Sequence, residues 1–324
     1  MFRLWFERGL PPELGHEIEG RAMALAPGPA GDPLATAGDA DGIVASSLLD
    51  YGADAFDRAP RLRVIARTGI GIDRIDVPEA TRRGIVVCNA PDGPTLSTAE
   101  HTIALLLAVT KRLKPAESRL RAGFADSFAA HDAIELQGRT IGLVGFGRIG
   151  RRVAALARGI GMEPVAFDPV AEIPPDEAAS AASLEDLLGS SDVVSLHLPL
   201  SPGTRHLIDR TALEAMRPGA FLLNAARGGL IDHDALLEAL ERGRLGGAGL
   251  DVTEPEPLPP DHPLLARDDV VVTPHVAAAT REGKRRLTVT AIREALAVLE
   301  GEGPRHPVNP EVLGAPSGRT SKGA

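Results

Sequence analysis

Short apolar runs alternate along the chain with segments whose apolar residues recur at helical spacing. Because nearly every position in these runs is apolar, the strands that they predict must be buried on both faces, as in parallel sheets covered by helices. The runs occupy residues 42–45, 64–66, 85–87, 140–144, 165–167, 193–198, 220–223, 249–252 and 270–272. The pattern predicts an α/β fold with two series of parallel strands.

Two helical segments separate these series. Ser97 and Glu100 form a Ser-x-x-Glu capping box before the apolar segment 101–112, in which His101 is expected to be a packed helix residue. A second helical segment, 282–299, follows the last run. We interpret them as two crossings between Rossmann-like domains with a cleft between the domains. The predicted parts are a discontinuous domain of residues 1–97 plus 285–312, an inserted domain of residues 98–284, and a disordered tail of residues 313–324.

A glycine-rich turn follows the run at 140–144. Gly145, Gly147 and Gly150 form a Gly-x-Gly-x-x-Gly motif between this run and a helical segment, and Asp168 ends the next run. In dinucleotide-binding domains such glycines allow a tight turn and the approach of a pyrophosphate to a helix N-terminus, and the acid binds the ribose. The motif predicts an NAD site. NAD is favoured over NADP, because the Asp168 carboxylate would repel a 2′-phosphate.

Three polar residues follow later runs of the same series. Arg227, Glu256 and His275 come after the runs that end at residues 223, 252 and 272. Ligands in open α/β sheets bind at the carboxyl ends of strands, so these side chains could converge on one pocket. An arginine can bind carboxylate and carbonyl oxygens, a histidine can exchange the alcohol proton, and a carboxylate can keep the histidine protonated. The set predicts hydride chemistry on a hydroxy acid.

Composition and charge narrow the partners. The 324 residues carry a formal net charge of −9, so nucleic acid and anionic membranes are not expected partners. The single cysteine, Cys88, excludes an intramolecular disulfide and a thiolate zinc cage, and we expect it to be buried. No metal site is expected. Arg3, Glu7 and Arg8 interrupt the N-terminal apolar residues, so no export signal is predicted and we expect a cytoplasmic protein.

Together these motifs resemble the D-isomer-specific 2-hydroxyacid dehydrogenase family. The matching residues are Gly145-x-Gly147-x-x-Gly150, Asn224-x-x-Arg227-Gly228, Leu250-Asp251-Val252 with Glu256-Pro257, and Pro274-His275. The sequence around Leu250–Leu265 most resembles that of the glyoxylate/hydroxypyruvate reductase branch. The resemblance implies an NAD-dependent oxidoreductase that interconverts small 2-oxo and D-2-hydroxy acids, with a substrate domain, an inserted NAD-binding domain and a homodimeric state.

The resemblance also implies roles for single residues. Arg227, Glu256 and His275 would be catalytic, while Ile70 and Gly71, with Arg227 and His275, would bind substrate through the loop Thr68–Asp73. Besides the three glycines of the turn, the positions that would contact NAD are Thr98, Arg148, Ile149, Asp168, His197, Pro199, Thr204, Ala225, Arg227, Asp251, His275 and Ala277.

Other functions remain open at this stage. One is a non-enzymatic NAD-sensing protein, like the corepressors that resemble this family and share its fold. D-3-phosphoglycerate dehydrogenation is another, although no extra phosphate-binding cluster is apparent. Formate oxidation is disfavoured because it would leave Glu256 without a role. Which 2-oxo acid is used depends on residues of the first domain.

Overall fold

Parallel strands form two separate sheets in the computed structural model, which describes residues 1–123, 128–129 and 131–314. The strands of the first sheet are β1 (Phe2–Phe6), β2 (Ala22–Leu25), β3 (Gly42–Ala45), β4 (Val64–Arg67) and β5 (Val86–Cys88). Those of the second are β6 (Thr140–Val144), β7 (Glu163–Phe167), β8 (Ala179–Ser180), β9 (Val193–Leu196), β10 (Ala220–Asn224), β11 (Leu245–Leu250) and β12 (Val270–Val272). Neighbouring strands within each sheet are parallel, which confirms the predicted α/β class.

Helices connect most of these strands. They are α1 (Ala53–Asp57), α2 (Val77–Arg82), α3 (Thr95–Thr110), α4 (Leu113–Arg121), α5 (Arg148–Gly159), α6 (Leu184–Ser190), α7 (Arg210–Ala215), α8 (His233–Glu241), α9 (Pro263–Ala266) and α10 (Arg281–Glu300). Short 3-10 helices cover Pro12–Glu17, Pro33–Thr36, Gly228–Leu230 and Pro310–Gly314. The side chains of Asp76, Ser183, Asp209 and Asp232 cap four of the helices by accepting backbone N–H groups, which helix N-termini otherwise leave without partners.

The first compact unit is discontinuous in sequence. It contains Met1–Pro94 and the described residues from Arg281 onward, and its strands lie in the order β2-β1-β3-β4-β5. Alternate side chains of each strand point to opposite faces. Leu4 and Val64 therefore pack with α10 on one face, while Trp5 and Ile65 pack with residues of α1 and α2 on the other. Burial on both faces explains why these runs are apolar at every position.

The second unit, Thr95–Thr280, contains the larger sheet. Its strand order is β12-β11-β10-β9-β6-β7-β8. The chain moves outward from β6 through β7 to β8 and then returns to the other side of β6 as β9. The switch point of this topology therefore lies at the carboxyl ends of β6 and β9, the place where open α/β sheets bind ligands.

The structure differs from the sequence expectations at the N-terminus and at the first crossing. Phe2–Phe6 forms β1, an interior strand of the first sheet that the run pattern did not identify. The capping box is wrong: α3 begins at Thr95, directly after Pro94, so Ser97 lies inside the helix. Proline has no N–H and is well suited to precede a helix. The Ser97 hydroxyl is instead 2.8 Å from that of Thr280.

The tail predicted to be disordered begins at residue 313. Its first two residues, Leu313 and Gly314, end a 3-10 helix. Residues 315–324 lie outside the described residues. Cys88 is buried, as predicted, and burial raises the pKa of its thiol to about 12. Within the described residues, every helix is too short or too polar to cross a membrane.

Candidate active site

The glycine turn after β6 leaves open space in front of a helix. Gly145 has a φ of +94°, and a Cβ there would lie 2.5 Å from the carbonyl oxygen of His197. A Cβ at Gly150 would lie 2.4 Å from the oxygen of Gly145, whereas one at Gly147 would meet nothing within 4 Å. Gly147 precedes α5 and no side chain caps it. The open space and the uncapped N–H groups fit the pyrophosphate of a dinucleotide.

Asp168, at the end of β7, belongs to the same turn. Its Oδ2 accepts the N–H of Phe146 at 2.8 Å, and its Oδ1 accepts those of Val170 and Ala171 at 2.9 Å. Burial opposes its ionisation, but these three hydrogen bonds hold the pKa of Asp168 below its ordinary value. A carboxylate has about four acceptor positions. The acid is therefore ionised at neutral pH and retains limited acceptor capacity for a ribose.

His197 lies directly after β9, beside the glycine turn. Its N–H donates to the carbonyl of Val144 at 2.7 Å, and its Nε2 lies 2.9 Å from the hydroxyl of Ser195. Burial lowers the pKa of His197 to about 4, so the imidazole is neutral at physiological pH. A neutral ring can hold one tautomer through Ser195 and does not place a charge beside the phosphate-binding turn.

The remaining positions assigned to NAD by resemblance lie at strand ends, helix starts and loops of the second unit. Thr98 and Ala277 are buried, Arg148 and Pro199 are exposed, and Ile149, Thr204 and Ala225 are half-buried. The Thr204 hydroxyl donates to the carbonyl of Pro199 at 2.8 Å and accepts the N–H of Ser201 at 2.8 Å. Thr204 therefore orders its own loop.

Arg227 is placed by the end of β10. The buried Asn224 accepts the N–H of Ala226 at 3.0 Å and donates to the carbonyl of Arg227 at 2.8 Å. A Cβ at Gly228 would lie 2.0 Å from the carbonyl oxygen of Thr253. Glycine at this position therefore allows the Arg227 loop to touch the loop after β11, which carries Glu256.

Glu256 and His275 form a direct contact. The Nδ1 atom of His275 lies 2.6 Å from Oε1 of Glu256, and both side chains are about two-fifths exposed, at 43% and 41%. His275 follows β12 with a φ of +54°, and its N–H donates to the carbonyls of Asp251 and Thr273. The pair leaves Nε2 of the imidazole as the ring atom for proton exchange, with the carboxylate stabilising the protonated ring.

A buried carboxylate holds the His275 loop. Asp251 accepts the Thr273 hydroxyl at 2.6 Å and the N–H groups of Val276 and Ala277 at 2.9 and 2.8 Å. Nε2 of His101, on α3, lies 2.9 Å from that hydroxyl and 3.4 Å from Asp251. Burial opposes ionisation, yet His101, Thr273 and the two amides keep the pKa of Asp251 below its ordinary value.

This network corrects the expectation for His101. The sequence pattern placed His101 among packed helix residues, but its ring is one of four donors or neighbours around Asp251. Asp251, assigned to NAD by resemblance, has a fully buried side chain whose oxygens face protein groups. Both residues act on the loop that carries His275. The apolar pattern of segment 101–112 does not indicate that His101 contacts Thr273 and Asp251.

Ile70 and Gly71 lie in the first unit, in the loop after β4. The N–H of Thr68 donates to the carbonyl of Ala45 at 2.8 Å, which fixes the start of this loop to β3. The carbonyl of Ile70 accepts the Asn89 amide at 2.9 Å. Among described groups, the N–H of Ile70 and that of Gly71 have no acceptor, so both amides are available to an anion.

The described residues contain no group of three or more His, Cys, Asp or Glu side chains that could hold a metal ion. The candidate residues of the second unit are a glycine turn, an arginine, and a carboxylate–histidine pair. Such a set is typical of nicotinamide-dependent oxidoreductases of carbonyl and alcohol groups.

Comparison with known proteins identifies the family. The NAD binding domain of the D-isomer specific 2-hydroxyacid dehydrogenases matches residues 103–277, which is more than half of the chain. A glyoxylate reductase of Thermofilum pendens is 42% identical over 85% of this chain and 83% of its own length. The chain belongs to the D-isomer specific 2-hydroxyacid dehydrogenase family and is an NAD-dependent oxidoreductase, which confirms the resemblance and the predicted cofactor.

Further relatives extend this comparison. A D-3-phosphoglycerate dehydrogenase of Methanocaldococcus jannaschii is 40% identical over 84% of this chain, and the chain spans about half of that relative, 52%. The crystal structure of the TT0316 protein from Thermus thermophilus has a TM-score of 0.87 at 41% identity, covering 95% of this chain and all of that one. A D-lactate dehydrogenase from Aquifex aeolicus, solved with NAD and lactic acid, has a TM-score of 0.82 at 29% identity, covering 97% and 100%.

Proposed function

We propose that this protein reduces a small 2-oxo acid, glyoxylate or hydroxypyruvate, to the D-2-hydroxy acid. The observation that carries the proposal is the 2.6 Å contact between Glu256 and His275. A carboxylate-paired imidazole can give a proton to a carbonyl oxygen. An NAD-sensing corepressor would bind the dinucleotide without needing this pair, so the pair favours an enzyme.

In the proposed reaction each residue has one task. The amides of Ile70 and Gly71 bind the substrate carboxylate, and the guanidinium of Arg227 aligns carboxylate and carbonyl oxygens in one plane. His275 donates its proton to the carbonyl oxygen, and Glu256 stabilises the charged imidazole before that transfer. NADH, once bound, would supply the hydride to the carbonyl carbon. In the reverse direction His275 accepts the proton of the alcohol.

The cofactor would be held by groups already described. The turn Gly145–Gly150 and the start of α5 would bind the pyrophosphate, and Asp168 would accept a ribose hydroxyl. The ionised Asp168 supports NAD over NADP. From the resemblance to the family we also propose further residues that contact NAD, namely Thr98, Arg148, Ile149, His197, Pro199, Thr204, Ala225, Arg227, Asp251, His275 and Ala277.

The proposed substrate is chosen from the names of the relatives and from how much of each relative's length this chain matches. Glyoxylate reductases match this chain over most of their own length, 83% for that of Thermofilum pendens and 86% for that of Aeropyrum pernix. A 3-phosphorylated oxo acid is the second candidate. It is favoured by the 40% identity to phosphoglycerate dehydrogenases and by the exposed Arg8, whose Nε lies 3.2 Å from the Ser46 hydroxyl in the first unit.

A substrate panel tests these alternatives. Purified protein would be assayed with glyoxylate, hydroxypyruvate, 3-phosphohydroxypyruvate, pyruvate and formate, each with NAD(H) and NADP(H). We expect the highest kcat/KM with NADH and glyoxylate or hydroxypyruvate. A preference for the phosphorylated acid would select the second candidate, and intact NADH binding with no turnover of any acid would select an NAD sensor.

We also propose a cytoplasmic homodimer. Exposed apolar side chains in the second unit support the dimer: Leu113 and Leu120 of α4 are 55% and 72% exposed, and Phe128 is 94% exposed. We expect sedimentation at twice the chain mass, and monomers for Leu120→Glu. A wild-type monomer at micromolar concentration would contradict the dimer.

A further inference from the structure

A buried carboxylate outside the catalytic set lies at the substrate-binding edge of the first unit. Glu7 follows β1 directly and is 5% exposed. β1, β3 and β4 lie side by side in that order in the parallel sheet, so their carboxyl ends lie at one edge. The loops that follow β3 and β4 begin at this edge, at Ser46 and Thr68. A buried carboxylate is costly unless hydrogen bonds satisfy it, so its partners indicate what it stabilises.

All partners of the Glu7 carboxylate belong to one loop. Oε1 accepts the N–H groups of Leu48 and Leu49 at 2.7 and 2.9 Å, and Oε2 accepts the N–H of Ser46 at 2.5 Å. Oε2 also accepts the hydroxyl of Tyr51, at 2.8 Å. Four donors therefore converge from residues 46–51. Charge-assisted hydrogen bonds of this kind are stronger than neutral ones.

Tyr51 is a stable donor in this arrangement. It is 1% exposed, and burial together with the charge of Glu7 raises the pKa of the Tyr51 phenol well above its ordinary value. Its backbone is anchored separately, because its N–H donates to Arg74 and its carbonyl accepts the N–H of Asp76. The end of the loop is thus fixed without Glu7, and Ser46 at its start is held both by Glu7 and, through its hydroxyl, by Arg8. The tip, Leu48 and Leu49, depends on the carboxylate.

The loop lies next to the proposed substrate carboxylate site. The amides of Ile70 and Gly71 follow β4, and Thr68 is bonded to Ala45, the residue before Ser46. The tip of the loop presents exposed side chains, among them Leu48 at 55%. A substrate held by its carboxylate at residues 70–71 would have its side chain bounded in part by this tip.

We propose that Glu7 is a positioning residue for substrate selectivity: it fixes the loop Ser46–Leu49 against which the side chain of the 2-oxo acid lies. This inference rests on the proposed function. The carboxylate and carbonyl of the substrate are bound elsewhere, so Glu7 acts on substrates that have a side chain and leaves glyoxylate, which has none, almost unaffected. A general loss of fold would affect all substrates alike.

The experiment compares Glu7→Gln with Tyr51→Phe as its matched control. The amide of the glutamine keeps one oxygen for two of the donors and places an NH₂ group against the others, which frees part of the loop. We expect kcat/KM for hydroxypyruvate to fall about 10- to 100-fold, as small misplacements do, and that for glyoxylate to change less than about threefold. Tyr51→Phe keeps the three backbone bonds and should retain the wild-type ratio.

Amide hydrogen exchange provides a measurement that needs no variant. In the wild-type protein the amides of Ser46, Leu48 and Leu49 should exchange slowly, like those of β3, although the tip is exposed. Fast exchange at these amides overturns the inference even if Glu7→Gln does not fold. An unchanged hydroxypyruvate-to-glyoxylate ratio in folded Glu7→Gln also overturns it. A wild-type protein that reduces no 2-oxo acid would contradict the proposed function instead.

Discussion

His275 and Glu256 are 19 residues apart in sequence and 2.6 Å apart in the structure. The contact arises because β11 and β12 are parallel neighbours, so the loops that follow them leave the sheet at the same edge. Both side chains are well exposed, at 43% and 41%, and solvent screens their attraction. The pair therefore adds little to the stability of the fold, and its effect is on the orientation of the His275 ring.

Neutralising Glu256 should slow proton transfer through His275. In Glu256→Gln the imidazole ring loses the negative charge that lies 2.6 Å from its Nδ1, so kcat for reduction should fall by about 10-fold or more. The nearby Glu254→Gln is the matched control, because Glu254 pairs with Arg205 and His206 rather than with His275. An unchanged kcat in Glu256→Gln would exclude Glu256 as the partner.

Replacing His275 should remove the proton donor without disturbing the backbone. His275 has a φ of +54°, a conformation that asparagine tolerates, so His275→Asn is preferable to alanine. We expect kcat to fall by about 10²–10⁴ and the Kd of NADH to change less than about twofold. His206→Asn, at φ +50°, is the control and should keep full activity. Comparable activity of both variants would rule out the assigned role.

Arg227→Lys should separate charge from geometry. Lysine keeps the positive charge but cannot bind two oxygens in one plane, so KM should rise and kcat should fall together by about 10-fold or more each. The measurement is steady-state kinetics on glyoxylate, hydroxypyruvate and pyruvate. Arg205→Lys, at an exposed ion pair with Glu254, should be close to wild type. A near-wild-type kcat/KM for Arg227→Lys on every acid would contradict the role of Arg227 in binding the substrate.

Asp168→Asn should relax the cofactor preference. The amide oxygen can still accept the N–H groups of Val170 and Ala171, while the N–H of Phe146 loses its acceptor and the negative charge is lost. We expect the NADH-to-NADPH ratio of kcat/KM to fall by about 10-fold, since repulsion of a 2′-phosphate disappears. The exposed Asp176→Asn serves as control. Equal ratios in wild type and Asp168→Asn would contradict the role of this carboxylate.

His101→Gln should impair catalysis through the loop that carries His275. The change weakens the contacts with Thr273 and Asp251, so the loop loses one restraint while Asp251 keeps its two backbone amides. We expect kcat to fall about 10-fold with little change in the Kd of NADH, and a smaller midpoint shift on thermal unfolding than for Asp251→Asn. The exposed neighbour Glu100→Gln should behave as wild type. An unaltered kcat in His101→Gln would restrict His101 to packing.

Local patterns were sufficient for features that repeat along the chain. The strands β3 to β6 are apolar at almost every position, and both faces of each sheet are covered, so their sequence and their burial agree. Arg227 and His275 follow strands closely, and the rule that ligands bind at carboxyl ends predicts that they share a site.

Features that depend on distant contacts were not accessible in this way. β1 is interrupted by Arg3, whose charge is satisfied by Asp39 and whose N–H is bound by Asp41. His101 and Thr273 are 172 residues apart, and a helical pattern cannot show that their side chains meet. The place of Asp251 directly after β11 fits a carboxylate that binds a ligand as well as one that binds other parts of the protein. The sequence therefore does not distinguish these two roles.

The division of the first unit between the two ends of the chain has a consequence for synthesis on the ribosome. The second unit, Thr95–Thr280, is continuous and leaves the exit tunnel complete. The N-terminal sheet must wait for α10, whose Ala291, Ile292 and Ala295 cover Val64 and Val86. Until translation passes Glu300, one apolar face of that sheet lacks its helix. The nascent chain therefore keeps an exposed apolar surface while just over two hundred residues are added after Cys88.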